Sequence, residues 1–66
     1  MSLVSLAQVH FEVQHRIDAP VKLEATREIL RGIAPAARIP GRRLYRVSVV
    51  SFVVAVLRER EAAVSA

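Results

Sequence analysis

The chain has 66 residues, with 10 Lys or Arg against 6 Asp or Glu, a formal net charge of +4, 53% hydrophobic residues and neither Cys nor Trp. These figures exclude a disulfide framework, a thiolate-bound zinc site and a multi-domain enzyme. They also argue against intrinsic disorder, because disordered chains are poor in apolar residues.

One small domain spanning residues 1–66 is expected. A chain of this size buries about 60% of its unfolded surface, and a single core rarely supplies more than about 3–5 kcal/mol. An apolar chain under that limit points to a homo-oligomer or to a subunit of a larger complex. The stretch Met1 to Ala7 holds no Lys or Arg, so no secretory leader is read there. The longest apolar run, Val47 to Leu57, is interrupted by Ser48 and Ser51. It falls well short of the roughly 20 residues a membrane span needs. A soluble cytoplasmic protein is expected.

From Ala7 to Ile17 the odd positions are Ala7, Val9, Phe11, Val13, His15 and Ile17, with Gln8, His10, Glu12, Gln14 and Arg16 between them. A period of two is the pattern of a half-buried strand. A helix would instead group Leu6, Val9, Val13 and Ile17 and leave Phe11 outside. The alternation favours the strand.

Asp18-Ala19-Pro20 reads as a helix start, with Asp18 as N-cap and Pro20 in the first turn. Val21, Ala25 and Ile29 recur every four residues, and Gly32 is a natural stop. The spacing predicts a helix from about Pro20 to Arg31. Pro40-Gly41 then marks a turn between two apolar-basic runs, Ala36 to Ile39 and Arg42 to Val47. A compact hairpin is expected there.

Residues 48–61 pose a conflict, because five Val residues favour a strand by propensity. Ser48, Ser51, Ala55 and Arg58 nevertheless fall on one helical face, opposite the stripe Val49, Phe52, Val53 and Val56. A helix capped by Ser48 is the better reading.

Charge is unevenly placed. No acidic residue occurs between Ile29 and Leu57, while Arg31, Arg38, Arg42, Arg43 and Arg46 do. Arginine presents a planar fork suited to phosphate and to guanine edges. An Arg-tipped hairpin suits a DNA backbone, and Tyr45 is a candidate hydrogen-bond donor to phosphate.

The segment Gly32 to Arg60 resembles the second half of excisionase-like and MerR-like winged helix-turn-helix domains. Ala34, Pro35, Ala36, Ala37, Arg38 and Ile39, then Gly41, Arg42, Arg43, Tyr45 and Arg46, follow that family's order. The resemblance implies an α+β fold, a small winged helix-turn-helix whose Arg-rich hairpin is the wing. It also implies that the helix before the hairpin enters the major groove of double-stranded DNA. Lys22, Thr26 and Arg27 would then face DNA, beside Arg31 and the hairpin residues. An excisionase-like architectural factor or a transcription regulator is the function so implied. It requires residues 5–16 to be helical, against their alternation.

Two other readings stay open. One is a β-α-β module with strands at about 5–17 and 43–57, completed by oligomerisation through its strand edges. The other is a small protein that covers part of a larger partner with its apolar surface. Catalysis is not expected: His10 and His15 do not converge, no Gly-x-Ser-x-Gly occurs, and two glycines cannot build a phosphate loop. Glu24 and Glu28 read as solvated helix surface. No metal and no cofactor are expected.

Overall fold

In a computed structural model of the chain, residues 2–65 are described. Six elements follow in order: β1 (Leu3–Val4), α1 (Leu6–Ile17), α2 (Leu23–Arg31), β2 (Ala37–Ile39), β3 (Arg42–Arg46) and α3 (Val49–Ser65). The result is a small α+β domain in which three helices accompany a three-stranded antiparallel sheet of order β1-β3-β2.

The first correction to the sequence reading is α1, where a strand was expected. Ser5 and Gln8 form a capping box. The Ser5 hydroxyl accepts from the Gln8 N–H at 3.4 Å, and the Gln8 side-chain carbonyl accepts from the Ser5 N–H at 2.8 Å. Two of the N–H groups that a helix start leaves unpaired are thereby satisfied. The buried stripe is Val9 and Val13, flanked by half-buried Leu6 and Ile17. Phe11, which the alternation placed inside, is 67% exposed and stacks on His15 one turn later.

Asp18 ends α1 instead of starting α2. It takes the left-handed conformation at φ 58°, and its N–H donates to the Gln14 carbonyl at 2.9 Å. Asp tolerates this region better than most residues. The Gln14 side chain accepts from the Val21 N–H at 3.0 Å, which holds residues 18–22 in a turn. For that reason α2 starts at Leu23, later than the expected Pro20, with Lys22 in extended conformation as its N-cap. Glu24 in the first turn and Arg31 in the last both suit the helix dipole. The helix stops at Gly32, as expected.

The hairpin forms as expected. Ala37, Arg38 and Ile39 stand opposite Leu44, Arg43 and Arg42. Gly41 turns the corner at φ 78°, the region a Pro-Gly corner reserves for glycine. β1 adds on the other side of β3, with Leu3 opposite Arg46 and Val4 opposite Tyr45.

α3 is helical, as expected, but its buried face is turned. Val50, Val53 and Val54 are buried and Leu57 half-buried, while Phe52 is 53% exposed. Ser51 accepts from the Arg16 guanidinium at 3.0 Å across the α1–α3 seam. The alternative β-α-β reading is overturned, since 6–17 and 49–57 are helices and only 43–46 of its second strand is extended. Among the described residues no helix is long and apolar enough to cross a membrane.

The buried side chains form one cluster drawn from all three helices and β3. Leu30 is the largest of those fully buried. Leu30→Ala is expected to cost about 2–5 kcal/mol, a sum comparable with the whole stability of a domain this small. Urea titration followed by far-UV circular dichroism checks this, and an unchanged midpoint refutes it.

Candidate nucleic-acid interface

A groove opens between α2, the hairpin and the start of α1. Arg27 and Arg31 line it from α2, Arg42 and Arg43 from β3, and Ser5, Leu6 and Ala7 from the α1 end; Leu30 and Tyr45 also line it. Among the described residues no carboxylate belongs to that lining. The first amides of α1 carry the positive end of its dipole, and its first turn has no acidic residue to offset them.

Strand geometry sorts the hairpin arginines by face, and the groove takes one from each. Directly opposed residues of an antiparallel pair share one face, and alternate residues of a strand do too. Arg38, Arg43 and Tyr45 therefore lie on one face of the sheet, the face that packs Tyr45 into the core. Arg42, Leu44 and Arg46 lie on the other, with Arg42 at the tip beside the turn.

The expected site residues thus separate. Arg27, Arg31, Arg42 and Arg43 come together. Arg38 stands opposite Arg43 and shares a shallow depression with Ile39, Gly41, Arg42 and Arg43. Arg46 lines a different depression, with Pro35 and Phe52. Lys22 is exposed at the start of α2 but does not line the groove.

Two expected contacts are corrected by burial. Thr26 is 0% exposed, and its hydroxyl lies 2.9 Å from Nδ1 of His10. It joins α2 to α1 and cannot face a ligand. Tyr45 is 4% exposed and belongs to the core, presenting only a small part of itself to the groove. Its strand position fixes that outcome: a residue paired with Val4 on the helix-facing side is interior first.

Sequence reasoning missed Ser5, Leu6 and Ala7. The signal was available in Ser5-x-x-Gln8, a capping box that places a helix start there. His10 and His15 serve no joint site, since His10 meets Thr26 and exposed His15 stacks on Phe11. Among the described residues no group of three metal-ligating side chains occurs.

The charges on α2 are mixed. Arg27 pairs with Glu24 at 3.5 Å and Arg31 with Glu28 at 3.1 Å, and all four side chains are about half exposed or more. Such exposed pairs contribute at most a few tenths of a kcal/mol and are readily exchanged for another partner.

The burial of Thr26 carries a prediction. Thr26→Val keeps the shape and removes the hydroxyl, so it should lower stability by about 1 kcal/mol through the lost bond to His10. Any ligand affinity of the folded fraction should stay unchanged. A thermal melt alongside a binding isotherm separates the two, and a binding loss without a stability loss would reverse the assignment. Comparison with protein-family models, curated proteins and solved structures returned no match for this chain.

Proposed function

We propose that this protein binds double-stranded DNA as a small winged helix-turn-helix domain, in the manner of an excisionase-like architectural factor or a transcription regulator. In this reading α1 and α2 are the helix-turn-helix pair and the β2–β3 hairpin is the wing. The observation that carries it is the groove in which four arginines from two separate elements converge with no carboxylate in its lining.

A second feature supports the same reading. Arg38 and Arg43 are directly opposed on adjacent strands. Like charges so placed destabilise a strand pair by a few tenths of a kcal/mol. A polyanion lying along the hairpin relieves that repulsion. Phosphates are the ligand this arrangement suits, because arginine forks match them bidentately. The positive end of α1 adds main-chain donors at the edge of the groove.

Affinity should then fall steeply with salt, as each neutralised phosphate releases counterions. Arg42→Ala combined with Arg43→Ala should weaken binding to every duplex alike. It should also flatten the slope of log K against log salt by about two units. Fluorescence anisotropy with a labelled duplex at several salt concentrations measures both, and an unchanged slope rejects the wing assignment.

Self-association is a second reading, favoured by exposed apolar side chains. Exposed Phe11 and Val47 line a shallow depression between α1 and the start of α3, with half-buried Val4, buried Val50 and the polar Gln8, Glu12 and Arg16. Neighbouring exposed apolar side chains such as Phe11 and Val47 suit a contact surface. Sedimentation should then give a mass above 7.3 kDa, and Phe11→Ser should return it to that value. A monomer at all concentrations rejects this reading.

A further inference from the structure

We infer that the seam between α1 and α3 holds a binding site for a phosphate-class oxyanion, formed by Arg16, Ser51 and Arg58. None of these residues lines the arginine groove, so the inference stands apart from the DNA-binding reading.

The site is built from two helices. Ser51, Ala55 and Arg58 follow at steps of four and three along α3 and share one face of it. A helical side chain leans toward the N-terminus, so Arg58 leans back along that face toward Ser51. Ala55 between them is small and leaves the space open. From the facing helix, Arg16 donates to the Ser51 hydroxyl at 3.0 Å. Arg16, Ser51 and Arg58 line one depression, over a floor of Val54 and Ala55. Its volume is about 230 Å³, below the roughly 300–1,000 Å³ of pockets that take drug-sized molecules. That space suits a hydrated ion.

Charge gives the sign of the ion. Two guanidinium groups border the depression, and among the described residues no carboxylate lines it. The ion pairs among the described residues both lie within α2, at Arg27 and Arg31, so neither Arg16 nor Arg58 has a carboxylate partner there. Ser51 also stands in the first turn of α3, which holds no acidic residue and carries the positive end of that helix's dipole. The donors then give its class. Arg16 spends one donor on Ser51 and keeps the rest of its five. Ser51 accepts from Arg16 and still has its own proton to donate. Two planar forks and a hydroxyl, coming from two helices, suit a tetrahedral oxyanion with oxygens on every side better than a planar carboxylate. An oxyanion held there ties α1 to α3 and stabilises the folded chain, because the unfolded chain has no such site.

The probe is inorganic phosphate, titrated into the isotope-labelled intact protein at constant ionic strength and followed by NMR, with chloride as the control. The amides of Ser51 and Ala55 and the guanidinium signals of Arg16 and Arg58 should shift and saturate, with a Kd of about 1 mM. Arg16→Gln and Arg58→Gln should each weaken this binding about tenfold, the loss of one charge-assisted hydrogen bond. Arg58 is exposed and outside the core, so its variant tests the site even where Arg16→Gln loosens the seam. The double variant R42A/R43A should leave the seam shifts in place. Three results overturn the inference: no saturable shift at the seam beyond that of chloride, shifts confined to the groove arginines, or seam shifts unchanged in the folded R16Q and R58Q variants. Each leaves the DNA reading as it was, because no duplex enters the experiment.

Discussion

The burial of one side of α2, Thr26 together with Ile29 and Leu30, sets the arrangement on which the rest of the domain depends. Thr26 is the one polar residue fully buried among the described residues, in a core otherwise made of valines, Ile29, Leu30 and Tyr45. Ile29 and Leu30 turn that side of the helix toward the core. A hydrogen bond between the Thr26 hydroxyl and a His10 ring nitrogen on α1 adds one directed contact to it. Once Thr26 points inward, Arg27 must point outward, and Arg31 follows one turn later on the same side. The Gln14 side chain adds a second constraint by holding Val21, and with it the entry into α2.

How far the fold could be read from the sequence depended on which periods the residues allow. Val9, Val13 and Ile17 are four apart, and four is both a multiple of two and close to one helical turn. These positions fit a strand and a helix equally. Only Phe11 separated the two readings, and its size pulled the choice the wrong way. The deciding information lay outside the periodic stretch, in Ser5 and Gln8. Asp18 was ambiguous for a related reason, since Asp is favoured as an N-cap and also tolerated in the left-handed region that ends a helix. In α3 two apolar stripes compete, one through Phe52 and one through Val50 and Val54, and nothing local ranks them. The tertiary structure chose the branched row. The Pro40-Gly41 hairpin was legible because its signal is entirely local. The two-residue β1 was not, because its pairing with β3 runs through the main chain.

The site divides the same way. The arginines of the hairpin stand out in the sequence because no acid interrupts them. That Arg27 and Arg31 join Arg42 and Arg43 in one groove is a tertiary fact, set by the packing of α2 against α1 and β3. Thr26 and Tyr45 show the converse. Each belongs to an element with one face inward and one outward, and each is a residue type at home on either. Only the register of the element decides, and distant partners meet each residue there: His10 for Thr26, Val4 for Tyr45.

Tyr45 occupies the central strand of the sheet, buried among the core residues while bordering the groove. A larger protein keeps a layer of packing between its interior and its working surface. Here two side chains, Tyr45 and Leu30, serve as the wall between them. The two sides cannot be altered independently: a change that reshapes the groove at either position also disturbs the interior, and a looser interior deforms the groove. Whatever settles in the groove leans on the same side chains that close the core, so occupancy and resistance to unfolding are coupled through them. The scarcity of residues in so short a chain makes that sharing unavoidable.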